Sequence, residues 1–346
     1  MKNIKIFLEI IVCMFFTQKS AAQAAGTPYI HYLQMEIPTM CSDISTKGTD
    51  FYLTFGKNSS YSATQVMLQL KIASESAATA TLTFKENNYS VTYSLGANTV
   101  TTIDLSNISG DKRSLVYSDF TTGSSTNNKS LHIKSTEPIS VYAFNTGVAT
   151  TDATIVLPVS AWGTEYYRMS YSSPSTTGSN DFEMIIAKEA TTVTLPERTI
   201  TLAAGQVYAY ASGTDMTGRH IISDKPVAYF THTTSSAIPV GRTYQDIVFE
   251  QMASIDRWGK EFLVPNAKQN SNSMNNRIRV VASENGTKVN FSGAASQSVS
   301  GSTQISSGGT LNRGQWAELL ISSDIGACYI NTDKPAGVCS YLVGNG

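Results

Sequence analysis

The stretch Asp224-Lys225-Pro226-Val227-Ala228-Tyr229-Phe230 joins a turn-forming dipeptide, a proline and an apolar strand, and the pattern occurs three times. Its counterparts are Thr136-Glu137-Pro138-Ile139-Ser140-Val141 and Asp333-Lys334-Pro335-Ala336-Gly337-Val338. Aspartate can hydrogen-bond to its own backbone two residues on, and proline fixes φ, so the pattern predicts a tight turn. Because proline at the first position of a strand removes no ladder hydrogen bond, the pattern also predicts a strand that starts there.

Two other landmarks precede this one in each copy. The first is a glycine followed by a short aromatic strand: Gly48-Thr49-Asp50-Phe51-Tyr52, Trp162-Gly163-Thr164-Glu165-Tyr166-Tyr167 and Trp258-Gly259-Lys260-Glu261-Phe262. The second is an apolar strand with an acid just beyond its last alanine: Ala73-Ser74-Glu75, Ala187-Lys188-Glu189 and Ala282-Ser283-Glu284. Three landmarks in a fixed order predict an internal repeat with a long period. The glycine permits a tight turn, and the tryptophan before it is expected to cover the edge of a repeat unit.

Alternation of apolar and hydroxyl side chains pervades the chain, as in Thr79-Ala80-Thr81-Leu82-Thr83-Phe84. This period of two is typical of half-buried strands, and we find no convincing amphipathic helix pattern beyond the leader. The sequence therefore predicts an all-β protein of three repeated β-sandwich-like units, each of about a hundred residues. The units are either separate sandwiches or share sheets in one assembly. We place the units at residues 25–147, 148–235 and 236–346, with boundaries in loops rich in Ser, Thr, Asn and Gly.

Composition excludes some classes of function. Of the 346 residues only 15% are charged and the net charge is −1, so no basic surface for nucleic acid is expected. Lys2 and Lys5 precede an apolar run from Ile6 to Phe16, and Ala22-Gln23-Ala24 fits a small-x-small cleavage site. Residues 1–24 are therefore predicted to be a signal peptide, which implies a secreted, extracellular or cell-surface protein. No later stretch is long and apolar enough for a transmembrane segment.

After cleavage of the leader three cysteines remain, namely Cys41, Cys328 and Cys339. An oxidising compartment favours a disulfide. Cys328 and Cys339 flank the proline turn at Pro335, so a hairpin is expected to bring these two together. The alternatives are a bridge from Cys41 to one of the other two, or three free thiols. The spacing predicts no metal site, because no two cysteines have the C-x-x-C spacing and none lies close to a histidine.

Catalytic patterns are scarce. His132 and His220 precede the proline segments at corresponding positions, which indicates a structural role in strands, and His232 falls in a polar stretch that is typical of a loop. The acids Glu75, Glu189 and Glu284 occur once per unit, so they do not form the close carboxylate pair that a glycosidase needs; solvated turns are expected there. We find no nucleophile elbow, phosphate loop, dinucleotide fingerprint or calcium loop, so neither an enzyme nor a cofactor is predicted.

Tyrosines carry the remaining signal. Tyr166, Tyr167 and Tyr171 cluster in the second unit, and exposed tyrosines suit contacts with a protein or glycan ligand because they add area at low entropic cost. The alternative is that they line the faces of a sheet.

Three segments resemble the N-terminal domain of the IgGFc-binding protein family. They are residues 157–167 (LPVSAWGTEYY), residues 223–228 (SDKPVA) and the run from Glu250-Gln251-Met252 into residues 258–265 (WGKEFLVP). The resemblance extends from about Gly48 to the end and implies a stand-alone, bacterial secreted version of that domain. It carries no motif residues for immunoglobulin binding, so that activity is not implied.

Together these observations predict a secreted, non-catalytic binding or adhesion module that recognises an extracellular protein or glycan through loops on a triplicated β scaffold. A carbohydrate-active hydrolase using Asp181 or Asp246 is the alternative, and it requires one deep pocket with paired carboxylates. A structural surface or matrix subunit is a further alternative, in which Cys41 crosslinks chains.

Overall fold

A computed structural model describes residues 45–172, 180–267, 276–321 and 326–343. The predicted signal peptide, His31 and Cys41 lie outside these residues. The strands of the first part of the chain are β1 (Gly48–Leu53), β2 (Phe55–Gly56), β3 (Met67–Ser74), β4 (Ala78–Phe84), β5 (Tyr89–Leu95), β6 (Thr99–Asp104), β7 (Tyr117–Ser118), β8 (Gly123–Asn127), β9 (Leu131–Thr146) and β10 (Thr151–Val156). Those of the middle part are β11 (Gly163–Tyr167), β12 (Asp181–Ala187), β13 (Thr191–Thr194), β14 (Thr199–Leu202), β15 (Val207–Ser212), β16 (His220–Ser236) and β17 (Asp246–Gln251).

The last part of the chain contributes β18 (Gly259–Pro265), β19 (Arg277–Ala282), β20 (Thr287–Ser292), β21 (Ala294–Gln297), β22 (Gly309–Leu311), β23 (Trp316–Ile321) and β24 (Ala327–Tyr341). The helices found in the described residues are four short 3-10 turns, at Ala63–Gln65, Arg113–Leu115, Val159–Ala161 and Ile255–Arg257. The prediction of an all-β fold is therefore confirmed.

Three large sheets contain nearly all of these strands. The first has the order β5-β4-β9-β3-β6, with β1 and β10 also paired to β9. The second has the order β14-β13-β16-β12-β15-β8, with β11 and β17 paired to β16, and the third runs β21-β23-β19-β24-β20-β22, with β18 paired to β24. The short strands β2 and β7 pair in parallel. Each large sheet is thus organised around one strand of 15 to 17 residues: β9, β16 or β24.

The proline segments lie inside these long strands, which corrects the predicted turns. Gly163 of β11 pairs with Val227 of β16, and Glu165 pairs with Ile222. Two positions along β11 thus correspond to five along β16, and the extra residues of β16 form a bulge around Pro226. The same register shift recurs beside β1 and β18. Asp224 accepts the N–H of Thr192 on β13 instead of bonding to its own turn. The segment therefore bends a continuous strand and does not separate two strands.

The middle sheet packs on both faces, which explains why β12 is buried along its whole length. Met184 and Ile186 join the core shared with the first sheet, whereas Ile185 and Ala187 join the core shared with Trp316 of the third. Sandwich-like packing thus occurs between neighbouring sheets. Burial of each large apolar side chain in such a core contributes about 1.5–3 kcal/mol.

Several strands join a sheet across the predicted unit boundaries. β10 pairs with β9 in the first sheet and β17 pairs with β16 in the second, so each leads from one sheet into the next. β8 precedes β9 in the chain yet pairs with β15 of the second sheet. The neighbouring sheets are consequently joined by strand exchange as well as by side-chain packing.

Candidate binding site

A carboxylate, an imidazole, a phenol and a cation meet where the second and third sheets adjoin; we call this group the second seam. Glu165 and Tyr167 share one face of β11, and the Glu165 Oε1 lies 2.7 Å from the Nε2 of His220 on β16. The rings of Tyr167 and His220 stack with centroids 4.5 Å apart. Arg313, from the loop before β23, donates to the Glu165 carboxylate and to the Tyr167 hydroxyl.

The same group recurs where the first and second sheets adjoin, at the first seam. Asp50 Oδ1 lies 2.7 Å from His132 Nε2, and His132 stacks on Tyr52 at 4.0 Å. Lys188, in the turn that follows β12 of the second sheet, approaches Asp50 Oδ2 at 3.1 Å. Burial lowers the pKa of His132, although the Asp50 carboxylate acts in the opposite direction. A histidine that stacks on a tyrosine and bonds a carboxylate at both seams indicates a structural role.

Each tryptophan of the glycine landmark lies against the preceding sheet. Trp162 meets Tyr52 edge-on at 5.7 Å, and Trp258 meets Tyr167 at 6.1 Å. Their indole N–H groups donate at 3.2 Å to Leu157 O and Ala253 O, which fixes the turn that carries each ring. These rings complete the two seams.

We expect Gly163→Ala to destabilise the protein by about 1–3 kcal/mol, because overpacking a close contact forces the backbone apart. A Cβ at Gly163 would lie 2.4 Å from the Cβ of Ser254, and a Cβ at Gly48 would lie 2.4 Å from the Cβ of Pro158. Urea unfolding of Gly163→Ala and Gly48→Ala checks this. Gly213→Ala is the matched control, since no atom lies within 4 Å of its added Cβ. Equal stability of Gly163→Ala and Gly213→Ala would contradict the close packing.

Two clefts flank Arg313 at the second seam. One, of about 620 Å³, is lined by Tyr167, His220 and Trp316 among others. The other, of about 900 Å³, is lined by the carboxylates of Glu165, Asp256 and Glu284. Glu165 is already engaged by His220 and Arg313, and Asp256 accepts from Ser254 at 2.5 Å. The larger cleft can therefore offer acceptors to a polar ligand chiefly through Glu284.

The three tyrosines that the sequence suggests for ligand contact are buried, with 1–2% of their surface exposed. The hydroxyl of Tyr166 donates to Val227 O at 2.7 Å, and that of Tyr171 donates to Glu318 at 3.2 Å. Tyr167 touches the smaller cleft only beneath Arg313. The suggestion is corrected for Tyr166 and Tyr171, because Tyr166 of β11 and Tyr171, in the segment after that strand, both lie in buried cores. The alternative of tyrosines that line sheet faces describes Tyr166.

The predicted Cys328–Cys339 disulfide is not formed, and both thiols are free. The expected hairpin is absent because β24 runs through Pro335 without reversing. Cys328 packs in the core of the third sheet, whereas Cys339 lies against the cluster around Tyr171 and Tyr341. Cys328 and Cys339 are eleven positions apart on one strand that does not reverse, so even with the bulge around Pro335 the thiols lie well beyond the span of a disulfide.

The other chemical candidates are held in structural contacts. His232 lies within β16 and not in a loop; its Nε2 bonds Lys57 O at 2.7 Å, and burial lowers its pKa to about 4. Asp181 is fully buried against Arg168. Asp246 accepts the N–H of Thr151 at 2.7 Å. The structure thus does not bring Asp181 and Asp246 together in one pocket.

A buried polar cluster between the second and third sheets has no clear signal in the sequence. Asp181 accepts from Arg168, from Ser170 Oγ at 2.7 Å and from Met216 N at 2.8 Å. Arg279 of β19 donates to Asp215 at 2.6 Å and to Ser170 O at 2.6 Å. Its guanidinium also lies 4.0–4.2 Å from the ring centroids of two aromatic residues, Tyr171 and Trp316. The cluster ties β12 and the segments around Ser170 and Asp215 to the third sheet.

Exposed apolar side chains gather on the loops that follow the three long strands; we call this set the loop face. Its members are Val148, Val240, Tyr244 and Leu342, which are 86%, 52%, 66% and 62% exposed. Thr151 and Asp246, at the ends of the first two loops, are hydrogen-bonded. Ile238 of the second loop packs with Tyr341 at the end of β24. These contacts make the three loops neighbours.

Carboxylates also meet between β10 and β17. Burial and the charge of Asp152 raise the pKa of Glu250 to about 8. Burial raises the pKa of Asp152 to about 6, although the hydrogen bonds from the N–H groups of Phe249 and Ala153 lower it. A carboxyl group whose pKa is raised on folding favours the folded state below its unfolded pKa and loses that advantage as the pH rises through the folded value.

We expect Glu250→Gln to stabilise the protein by about 2 kcal/mol at pH 8.5 and to leave its stability nearly unchanged at pH 4. The wild-type free energy of unfolding should fall between pH 4.5 and pH 8, which are the ordinary and raised pKa values of this carboxyl group. Urea titrations across this range measure both. Asp152→Asn is the companion variant and should remove the slope near pH 6. If the free energies of unfolding of the wild type and of Glu250→Gln changed in parallel with pH, the raised pKa of Glu250 would be contradicted.

Within the described ranges no cluster of three or more metal-ligating side chains occurs. Of the helices in that same part of the chain, none has the length and apolar character to cross a membrane.

Comparison with known proteins gives one match. A family model described as IgGFc binding protein matches residues 152–346, from within β10 to the end, which confirms the resemblance seen in the sequence over the second and third sheets. Apart from β10, the strands of the first sheet lie outside the match. Searches of curated proteins and of solved structures found no match.

Proposed function

Because the chain belongs to the IgGFc binding protein family, we propose that it is a secreted module that binds an extracellular protein through the loop face. Members of the family are binding proteins, which supports a non-catalytic role, and they are typically extracellular. The predicted signal peptide at residues 1–24 agrees with export. A protein ligand is favoured over a glycan because the face is apolar.

The loop face carries this proposal. Four apolar side chains stand exposed on neighbouring loops, at the ends of strands that the three sheets hold rigidly. Tyr244 is the most suitable anchor, since tyrosine is enriched among residues that dominate binding energy. Loops on a rigid scaffold are the usual location of binding residues.

We also propose that the three sheets derive from three copies of one unit. The glycine pairing and the bulge recur at β1, β11 and β18, and the two seams contain the same four types of group. The unit boundary at residue 147 falls in the first loop of the loop face, and the boundary at residue 235 falls one residue before the end of β16, where the second loop starts. Limited proteolysis tests this: cleavage is expected first at residues 147–150 and 237–245.

Binding is tested by immobilising the purified chain and passing over it the Fc fragment of immunoglobulin G and a panel of serum and mucus proteins. We expect saturable binding by at least one of them, weakened about tenfold or more by Tyr244→Ala. Val100→Ser is the control, because Val100 is equally exposed but lies on β6, away from the loop face. A folded chain that binds nothing would contradict the proposal and favour a structural surface or matrix subunit.

A carbohydrate-active hydrolase is the second candidate, favoured by the larger cleft with Glu165, Asp256 and Glu284. Glycoside hydrolysis needs two carboxylates about 5–10 Å apart on either side of the sugar. Release of reducing ends from a polysaccharide panel, lost in Glu284→Gln and kept in Tyr244→Ala, would support hydrolysis over binding at the loop face.

A further inference from the structure

One pair of facing residues lies at the same place in all three large sheets and is covered in the first two. The pairs, in chain order, are Tyr52 with His132, Tyr167 with His220, and Leu263 with Tyr329. The next sheet packs over the first two pairs, so Tyr52 and Tyr167 are 8% and 2% exposed. The described residues include no cover for the third pair, and Leu263 and Tyr329 are 56% and 44% exposed.

The glycine at the start of β18 is open in the same way. A Cβ at Gly48 or Gly163 would lie 2.4 Å from the segment that leads into the next sheet. Among the described residues, a Cβ at Gly259 would meet only the ring of Phe262 on its own strand, at 3.7 Å. The third sheet therefore keeps the shape of a seam but lacks a partner there. We give the name tail face to the surface formed by Gly259, Glu261, Leu263 and Tyr329.

The opposite side of the contact is open in the first sheet. The residues that pair with the penultimate positions of β3, β12 and β19 are Val100, Val207 and Trp316. Val207 shares a core with Tyr52 of the preceding sheet, and Trp316 shares a core with Tyr167. Val207 and Trp316 are accordingly 0% and 4% exposed, whereas Val100 is 63% exposed. The side of the first sheet that carries Val100 thus has no sheet packed on it among the described residues.

The residues around Val100 make this side partly apolar. Tyr142 and Phe144 of β9 point to the same side as Val100 and are half-buried. Tyr142 lies three residues after the partner of Gly48, as Phe230 lies three residues after the partner of Gly163. Phe230 is fully buried in the core shared with the first sheet. We give the name head face to the surface formed by Val100, Tyr142 and Phe144.

The charge on the tail face is the one that the two seams neutralise. In each seam a cation from the following sheet meets a carboxylate two residues after the landmark glycine; the pairs are Asp50 with Lys188 and Glu165 with Arg313. Glu261 stands at this place in the third sheet. Among the described residues it accepts a hydrogen bond from Asn331 at 3.4 Å and meets no cation.

Lys47 supplies a cation beside the head face. The residue just beyond β12 is Lys188, and the residue just beyond β3 is Glu75. The Glu75 carboxylate lies 2.7 Å from the ammonium of Lys47, so a positive charge stands close to the place that Lys188 occupies in the first seam. The Lys47 side chain is 40% exposed and can approach a carboxylate from another molecule.

We propose that the tail face of one molecule docks on the head face of a second copy of this chain, in the arrangement of the two seams. The two faces are the open halves of a contact that the chain already makes twice within itself. In the docked pair Val100 covers Leu263 and Tyr329, and Lys47 faces Glu261. Because the two faces differ, the contact is heterologous, and such contacts extend into filaments unless their rotation closes a ring.

Sedimentation velocity of the purified chain tests this contact. We expect species larger than a monomer, whose size grows with concentration. Leu263→Glu in the tail face and Val100→Glu in the head face should each weaken association about a hundredfold or more, because the contact would bury an unpaired charge. Both positions are exposed in the single molecule, so circular dichroism should show that the variants fold. Val148→Glu, on the loop face, is the control and should assemble like the wild type.

Mixing the two variants distinguishes a head-to-tail contact from other modes of association. Leu263→Glu keeps an intact head face and Val100→Glu keeps an intact tail face, so an equimolar mixture should form one-to-one dimers although each variant alone is monomeric. A wild-type chain that stays monomeric up to about 1 mM, where even millimolar dissociation constants are detected, would overturn the proposal. Assembly that survives either substitution, or a mixture that stays monomeric, would overturn it as well.

Discussion

Asp181→Ala is expected to destabilise the protein by about 3–5 kcal/mol, because it leaves the guanidinium of Arg168 buried without its counter-charge. Both side chains are inaccessible to solvent. Asp181 also accepts hydrogen bonds from Ser170 and from the backbone of Met216, so three donors lose their acceptor together. Urea unfolding, followed by far-UV circular dichroism, measures the loss.

The comparison that isolates this effect uses an exposed ion pair. Lys225 and Glu189 lie 3.0 Å apart with much of both side chains in solvent, and Glu189→Ala should cost less than about 1 kcal/mol. The double variant Arg168→Met/Asp181→Leu should be more stable than Asp181→Ala, since no unpaired charge remains. If Asp181→Ala were no more harmful than Glu189→Ala, the buried pair would not hold this part of the fold together.

Arg279→Ala is expected to cost about 3–5 kcal/mol and to loosen the third sheet from the second. The side chain is 3% exposed and joins Asp215 at 2.6 Å to Glu318 at 3.3 Å. It also lies 4.0 Å from the ring centroid of Tyr171, and such cation–π contacts add about 1–2 kcal/mol when desolvated. Hydrogen exchange should show the loss concentrated in β19 and β24.

Arg279→Lys distinguishes the contribution of the positive charge to stability from that of the planar guanidinium geometry. Lysine keeps the positive charge but cannot bond two carboxylates in one plane, so we expect roughly half the loss of Arg279→Ala. Lys288→Ala, on the exposed side of β20, is the control and should change stability by less than about 0.5 kcal/mol. Arg279→Lys with wild-type stability would show that charge alone secures the contact.

The fold class is predictable from the sequence because period-two alternation survives wherever one face of a strand is buried. In β4, Ala80, Leu82 and Phe84 are buried while the threonines between them are less so. The pattern fails in the middle sheet, whose strands are covered on both faces. There His232 lies in the core because its ring bonds a backbone carbonyl, although the run of hydroxyls around it is typical of a loop.

The candidate site is less predictable from the sequence, because its residues lie far apart along the chain. Arg279 and Asp215 lie 64 residues apart and Arg313 and Glu165 lie 148 residues apart, so no local pattern links them. Tyr171 stands between two serines, as exposed side chains often do, and Tyr166 follows Glu165, but both side chains lie in buried cores. The disulfide between Cys328 and Cys339 was wrongly predicted because Pro335 suggested a turn, whereas β24 continues through it.

Strand β8 limits how the protein can be divided. Residues 123–127 complete the edge of the second sheet beside β15, yet they precede β9 in the chain. A fragment cut to the family match at residues 152–346 would keep β15 and lose the strand that covers it. Such a fragment would present a bare sheet edge, and bare edges recruit strands from other molecules. Under the proposed origin from three copies of one unit, shuffling of single units is constrained in the same way, because a transplanted second unit would need a neighbour that supplies an equivalent of β8.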